Sequence, residues 1–273
     1  MTRTGELSHW KGLAYPATAF GATHAAFLAM RGVTGPREVF EGNKGFGDAI
    51  AGPVEIDWSR EDLESVRDTI LKKFNAEIHS QSALEALLEL RAEHGLTAAD
   101  VERVELETFQ VAFDIIGGGE EGDKHQVHSK EEADHSLPYL LAVALLDGQV
   151  LPEQYLPERI VADDAQTLLQ RVHVRVDPEF SKRFPRQHCA RVRLYLSDGR
   201  TLEREQYDYH GFHTRPMAWD AVAAKFDRLA ACHVTSKVRA HLQDAVANLD
   251  ELRVDQLTPM LASPTCANPR RKR

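Results

Sequence analysis

The feature that most limits how this chain can fold is an uncharged segment of small residues close to its start. Residues Pro16–Arg31 read PATAFGATHAAFLAMR, where alanine, glycine and threonine dominate and almost no face carries a charge. Proline suits a first helical turn and Gly32 suits the residue just past a helix end, so the segment predicts a helix. A helix that is apolar on every face is normally buried on all sides. Either the rest of the protein covers it, or its natural cover is missing.

Two further helices are predicted before the first strand. Residues 32–53 carry six glycines and predict a loop. Beyond it, Ser59 with Asp62 three residues later predicts the start of a helix that runs to about Lys73. A third helix is predicted from near Ser82, where serine and a following glutamate again have capping spacing and leucines recur at helical intervals.

The rest of the chain mixes strands with helices. Alternation of apolar and polar residues predicts strands, and a Ser-Asp-Gly-Arg turn predicts that the last two form a hairpin. The strands are expected over Val101–Val111, Val172–Val176, Val192–Leu196 and Leu202–Tyr207, and the helices over Leu137–Leu146, Ala218–Leu229, Thr235–Ala247 and Asp250–Gln256. Strands and helices do not alternate regularly, so the order favours an α+β fold with both termini in a helical layer.

Composition excludes several classes of function. The 273 residues carry 33 Lys and Arg against 42 Asp and Glu, a net charge of −9, which argues against a general nucleic-acid binder. The longest apolar stretch, Leu137–Leu146, is about half of the ~20 residues that a membrane span needs. The three cysteines have no paired spacing, and no apolar run opens the chain, so a cytoplasmic protein is expected.

No metal site is predicted. Of the thirteen histidines, the densest group is His125, His128 and His135, whose spacing matches no standard ligand motif. Glycine-rich phosphate loops and the motifs of zinc and serine hydrolases are absent from the sequence.

Polar side chains gather at three helix starts, where unpaired N–H groups favour anions. The segments are Trp10–Gly12, Lys72–Gln81 and Ala133–Tyr139. Each also has a plainer interpretation, as a surface lysine, a solvated helix end and a set of capping residues respectively. From residue types alone, these segments predict an anion pocket between helices.

At these segments the chain resembles the MmgE/PrpD family, of which 2-methylcitrate dehydratases are one branch. The resemblance runs in the family's order over nearly the whole chain. It is carried by Arg3–Gly12 (RTGELSHWKG), Gly32–Phe46 (GVTGPREVFEGNKGF), Lys72–Ala86 (KKFNAEIHSQSALEA), Asp134–Gly148 (DHSLPYLLAVALLDG), the Asp198-Gly199 hairpin, and Arg215-Pro216 leading to Lys225-Phe226.

The resemblance implies a partial all-helical domain at 1–78, a smaller α+β domain inserted at 79–214, and helices at 215–262 that return to the helical domain. Residues 263–273 are expected to be a disordered basic tail. The resemblance also implies a homodimer, catalysis without a metal or organic cofactor, and a citrate-like tricarboxylate substrate. Members are much longer, so the chain resembles only their C-terminal part. A separate N-terminal half is therefore an expected partner.

The resemblance also implies site residues. Lys11 and Lys72 match positions of active-site lysines, and Glu77, His79 and His135 are candidates for acid–base roles. Gln81, Asp134 and Arg215 are expected to contact the substrate.

Two positions bear on the branch of the family to which the chain is expected to belong. The decarboxylase branch has histidine where this chain has Glu77, and tyrosine where it has Phe113, and both departures favour a hydro-lyase that converts 2-methylcitrate to 2-methyl-cis-aconitate in propionate breakdown. The alternatives are a related polycarboxylate decarboxylase or epimerase, and a non-catalytic dimerisation module.

Overall fold

A computed structural model describes residues 8–52, 57, 59 and 64–262 of the chain. Within these residues the strands are β1 (Val101–Thr108), β2 (Val172–Val176), β3 (Ala190–Leu196) and β4 (Thr201–Gln206). The helices are α1 (Trp10–Met30), α2 (Gln81–Glu93), α3 (Gln110–Ala112), α4 (Lys130–Ala133), α5 (Leu137–Asp147), α6 (Pro157–Ile160), α7 (Asp163–Leu169), α8 (Pro178–Arg183), α9 (Trp219–Ala230), α10 (Ser236–Ala247) and α11 (Val254–Leu261).

The four strands form one mixed sheet in the order β2-β1-β3-β4. Strand β1 runs parallel to β2, pairing Val104 with Val172, and antiparallel to β3. Strands β3 and β4 form the predicted hairpin around Gly199, whose φ of 84° is a conformation that glycine adopts without strain. The α+β class is therefore confirmed.

The core lies between this sheet and two helices. Helix α2 packs on β3 and β4, while α5 packs on β2 and is covered on its other side by α7. Strand β3 is buried at every second residue, as expected for a strand with one face on the core. Helix α5 buries nine of its eleven residues, and Ser136 caps it by accepting a hydrogen bond from the Tyr139 N–H.

The terminal helices contrast with this core. In α1, α9 and α11 no residue is buried, and α10 buries only Ala245. In α1 the side chains of Tyr15, Phe20 and Met30 are each more than three-quarters exposed. Of the two expectations for this apolar helix, cover by the rest of the protein is not found among the described residues.

Helix α1 begins six residues before the predicted start, at Trp10 rather than Pro16. The proline therefore lies inside the helix, where its ring nitrogen has no hydrogen to donate to the carbonyl of Gly12. The preference of proline for a first turn is strong, but it does not exclude an interior position. The predicted end is confirmed, since Gly32 has a φ of 87° just past the helix.

The helix predicted from Ser59 to Lys73 is wrong in its C-terminal part. The chain forms a short 3-10 turn at Ser65–Asp68, and residues 69–77 are irregular. These residues bond to distant parts of the chain, as when the Leu71 N–H donates to the Gly211 carbonyl. Residues 60–63, including the capping Asp62, lie outside the described part.

The remaining predictions have mixed outcomes. The first strand ends at Thr108 rather than Val111, because the chain turns into α3. The last predicted helix, Asp250–Gln256, is replaced by α11, which begins at Val254. The division into domains at residues 78 and 214 stays a prediction, and the predicted basic tail at 263–273 lies outside the described residues. No helix in the described residues has the length and apolarity needed to cross a bilayer.

Candidate functional site

One main-chain hydrogen bond joins two of the polar segments that the sequence singled out. The Glu77 N–H donates to the Asp134 carbonyl oxygen at 3.2 Å. Glu77 precedes a 3-10 turn, Ile78–Ser80, that leads directly into α2, and Asp134 lies between α4 and α5. This hydrogen bond holds the irregular segment before α2 against the start of α5. The side chains of residues 72–81 and 133–139 therefore lie close to one another.

Glu77 and His79 form the first acid–imidazole pair. The Oε2 atom of Glu77 accepts the His79 backbone N–H at 2.6 Å, and Oε1 lies 3.0 Å from His79 Nδ1, at an angle outside that of a hydrogen bond. Burial alone would raise the pKa of Glu77. The neighbouring imidazole and N–H of His79, with the charge of Lys72, outweigh burial and lower this pKa below its usual value. Glu77 is therefore held as a carboxylate.

Asp134 and His135 form the second pair. Asp134 Oδ1 is in close contact with His135 Nδ1, and Asp134 Oδ2 accepts from Lys130 Nζ at 2.5 Å. Burial raises the pKa of Asp134, although the charges of Lys130, Lys11 and Lys72 act in the opposite direction. The other ring nitrogen of His135, Nε2, is buried without a hydrogen-bond partner among the described residues. A buried polar atom of this kind is an expected place for a ligand or a water molecule.

Lys11 and Lys72 lie near these two pairs. Lys11 is in the first turn of α1, and Lys72 is in the irregular segment. The charges of both ammonium groups act on the Asp134 carboxyl, and that of Lys72 also acts on Glu77. The N-terminal end of α1 approaches the same place, because His9 Nε2 lies 3.9 Å from a carboxylate oxygen of Glu131. The fold therefore brings together Lys11, Lys72, Glu77, His79, Asp134 and His135.

Gln81 and Arg215 have other partners. The Gln81 amide is buried, accepts the Phe74 N–H at 2.9 Å and lies near the carbonyl oxygens of residues 74, 76 and 77. Arg215 contacts Glu85 at 2.8 Å and Asp208 at 3.1 Å. Gln81 thus shapes the segment that carries Glu77, while Arg215 neutralises a buried carboxylate of α2.

Aromatic rings pack around His79 of the first pair. Two polar members of this group, His188 and Tyr209, were not among the residues predicted from the sequence. The His79 ring centroid lies 5.6 Å from that of His188 and 5.5 Å from that of Phe109. His188 in turn lies 6.5 Å from Tyr209. His188 Nδ1 and the Tyr209 hydroxyl are both buried without a hydrogen-bond partner in the described part of the chain. No local motif marks either residue, because each lies outside the helices and strands and far from residues 72–81 in sequence.

In the densest histidine group of the sequence, His125 and His135 have different carboxylate partners. His125 contacts Asp123 at 2.9 Å and the Val172 carbonyl oxygen at 3.1 Å. The described residues contain no group of three or more His, Cys, Asp or Glu side chains placed to hold a metal ion.

The site combines fixed cations with proton-transfer groups. Ammonium groups stabilise carboxylates and the charge that develops on them when a neighbouring carbon loses a proton. Imidazoles paired with carboxylates can accept or donate protons near neutral pH. The arrangement is suited to proton abstraction beside a carboxylate.

Comparison with known families gives two matches that together cover most of the chain. The model of the MmgE/PrpD C-terminal domain matches residues 74–251, and that of the MmgE/PrpD N-terminal domain matches residues 1–59. The first match includes every candidate residue except Lys11 and Lys72.

Curated relatives are lyases at low sequence identity. Cis-aconitate decarboxylase of Mus musculus is 24% identical over 257 residues, which are 88% of this chain and 50% of the relative. The 2-methylcitrate dehydratase of Salmonella typhimurium is 27% identical over 251 residues, covering 86% and 50%. That of Escherichia coli K12 is 28% identical over 196 residues, covering 64% and 39%. The chain spans about half the length of these relatives or less.

Proposed function

This chain belongs to the MmgE/PrpD family, and we propose that it is a hydro-lyase that converts 2-methylcitrate to 2-methyl-cis-aconitate with its own side chains. The observation that carries the proposal is the contact between Glu77 and Asp134, which places two acid–imidazole pairs beside Lys11 and Lys72. A tricarboxylate presents several negative charges to such a site. The 2-methylcitrate dehydratases among the relatives support this choice of substrate.

The reaction requires a base, an acid and a positive field. The base removes a proton from the carbon beside a carboxylate, the electron pair forms the carbon–carbon double bond, and the carbon–oxygen bond breaks. The acid protonates the departing hydroxyl, so that water leaves. Lys11 and Lys72 stabilise the carboxylate that carries the developing negative charge.

The geometry suggests how the remaining groups share these tasks. Glu77, held as a carboxylate beside His79, is suited to accept the proton. His135, oriented by Asp134 through Nδ1, keeps Nε2 for the departing hydroxyl. Gln81 and Arg215 serve as positioning residues, since their polar atoms contact the backbone near Glu77 and the carboxylate of Glu85.

Assembly belongs to the same proposal. The relatives carry about as much further sequence as this chain contributes. We propose that a polypeptide equivalent to that further sequence packs on the exposed apolar surface of α1, and that the active form is a homodimer. Exposed patches of this kind mark protein–protein contacts.

Decarboxylation is the second candidate, because cis-aconitate decarboxylase matches 88% of the chain. In that case the same cations would hold the substrate while carbon dioxide, rather than water, leaves. Epimerisation of a related acid and a non-catalytic dimerisation module are the remaining alternatives.

The test is a product assay on the chain alone and on the chain co-expressed with the N-terminal half of a matched dehydratase. Water loss from 2-methylcitrate yields a conjugated alkene that absorbs ultraviolet light, and carbon dioxide release from cis-aconitate reports decarboxylation. We expect Lys72→Met to lower kcat/KM roughly 100-fold, about 3 kcal/mol, without loss of folding. Lys237→Met, at an exposed lysine of α10, is the matched control.

Each outcome decides between the candidates. Alkene formation that depends on Lys72 supports the hydro-lyase, and carbon dioxide release supports the decarboxylase. Absence of both products in both preparations contradicts a lyase and favours the non-catalytic module. Equal rates for Lys72→Met and the unaltered protein would remove Lys72 from the site.

A further inference from the structure

A third lysine reaches the candidate site from the far end of the chain. Lys225 lies in the middle of α9, half-buried, and its Nζ donates a hydrogen bond to the main-chain carbonyl oxygen of Lys72. We propose that Lys225 is a positioning residue that fixes the main chain at Lys72, an inference that rests on the proposed function. Its ammonium group also adds a third positive charge for a polycarboxylate substrate.

The backbone around Lys72 needs such a partner. Residues 69–77 form no helix, so their peptide groups are held by tertiary contacts. On one side of Lys72 the Leu71 N–H donates to the Gly211 carbonyl at 2.7 Å, and on the other Lys73 Nζ contacts Glu85 at 2.8 Å. Lys225 supplies the bond at Lys72 itself. Its removal therefore loosens the residue that carries a substrate-binding ammonium group.

The charge of Lys225 has a second consequence. Burial, together with the nearby charge of Lys72, lowers the pKa of Lys225. Two ammonium groups that repel each other form a strong site for an anion, because a bound carboxylate relieves the repulsion. With Lys11, three cations from three distant parts of the chain match the three carboxylates of a citrate-like acid.

A purely structural role is the competing explanation. Helix α9 is also attached to the body of the protein by Arg228, whose Nη2 donates to Gln149 Oε1. If Lys225 only anchors α9, then Arg228→Met should have the same effect as Lys225→Met. If Lys225 acts on the site, the two variants should differ in how they bind carboxylates.

The experiment measures citrate and succinate binding by calorimetry in the unaltered chain, Lys225→Met, Lys225→Arg, Arg228→Met and the exposed control Lys237→Met. We expect Lys225→Met to weaken citrate binding roughly tenfold and succinate binding less, because a dicarboxylate has fewer charges to satisfy. Lys225→Arg should recover most of the affinity, and the two controls should bind like the unaltered chain. Hydrogen exchange at the Leu71 amide should be faster in Lys225→Met and unchanged in Lys237→Met.

The outcomes separate this inference from the proposed function. Unchanged citrate binding and unchanged exchange in Lys225→Met overturn the inference while leaving the proposed function intact. An equal loss in Arg228→Met and Lys225→Met for both acids overturns it in favour of simple anchoring. No citrate binding by the unaltered chain overturns the proposed function and the third-charge role together, and exchange at Leu71 then decides the positioning role by itself.

Discussion

Helices α1 and α5 have similar apolar compositions but opposite environments. Helix α5 buries nine of its eleven residues between the sheet and α7, whereas α1 buries none of its twenty-one. The same division separates α2, which buries eight of thirteen residues, from α9 and α11, which bury none. Apolar composition therefore indicates that a helix is stable only when other elements cover it. Whether this chain provides that cover is shown only by the packing in the folded structure.

The difference has a consequence for stability. Buried apolar side chains provide most of the free energy that favours folding, and exposed ones provide little. The sheet with α2, α5 and α7 should therefore unfold as one cooperative unit, while α1 depends on whatever packs against it. The following predictions test this contrast.

The largest effect is expected from the same substitution made in both helices. Leu141 in α5 is fully buried and Leu28 in α1 is 41% exposed. We expect Leu141→Ala to lower the free energy of unfolding by about 3 to 4 kcal/mol, from lost burial and the cavity left behind, and Leu28→Ala by less than about 1 kcal/mol. Urea unfolding followed by circular dichroism measures both. Equal losses in the two variants would show that α1 is as well packed as α5.

An intermediate effect on the free energy of unfolding is expected from a change of pH, and it concerns only the buried residue His188. Burial, then the charge of His79, lowers the pKa of His188 from 6.5 to about 4. Between these values the unfolded chain binds more protons than the folded one, so the contribution of neutral His188 is complete above pH 6.5 and is lost as pH falls towards 4. The loss amounts to at most about 3 kcal/mol.

The variant His188→Phe keeps a ring among its aromatic neighbours and should flatten this part of the stability–pH curve. His24→Phe, in exposed α1, is the control and should leave the curve unchanged. A curve of the same slope in His188→Phe and the unaltered chain would contradict a buried neutral imidazole. The acidic end of the curve also contains Glu77 and Glu85, whose pKa values are lowered, so the window between pH 5 and 6.5 is the informative one.

The smallest effect on folding is expected on α1, where it should be accompanied by a change in association. Phe20 is 77% exposed and Phe27 is 60% exposed. We expect Phe20→Ser with Phe27→Ser to change the free energy of unfolding by less than about 0.5 kcal/mol and to reduce self-association in light scattering. A large loss of stability at low protein concentration would show that these rings already have partners within one chain.

The sequence predicted those parts of the fold that depend on local patterns. The β3–β4 hairpin follows from alternating residues around a turn with Gly199, and α5 follows from the apolar run Leu137–Leu146. The segment before α2 could not be predicted in this way. Its capping pattern at Ser59 favours a helix, yet the peptide groups of Leu71 and Asn75 bond to Gly211 and Val150, which are distant in sequence.

The candidate site shows the same limit. Lys11 and Lys72 could be proposed because they match active-site positions of the family that the chain resembles, and Glu77 and Asp134 because they lie in matching polar segments. His188 could not be proposed, nor could a role for Lys225, because the rings around the first and the carbonyl that accepts from the second come together only when the chain has folded. Gln81 illustrates the converse, since a polar residue in a promising segment contacts the backbone of that segment.

The order of the elements along the chain has a consequence during synthesis. The last strand of the sheet ends at Gln206, whereas Lys225 lies on a helix that begins at Trp219. A nascent polypeptide emerging from the ribosome can therefore pair all four strands before Lys225 is synthesised. Premature termination after the hairpin would remove Lys225 together with Arg215 and Gly211, so the buried Glu85 carboxylate and the Leu71 N–H would each lose a partner as well.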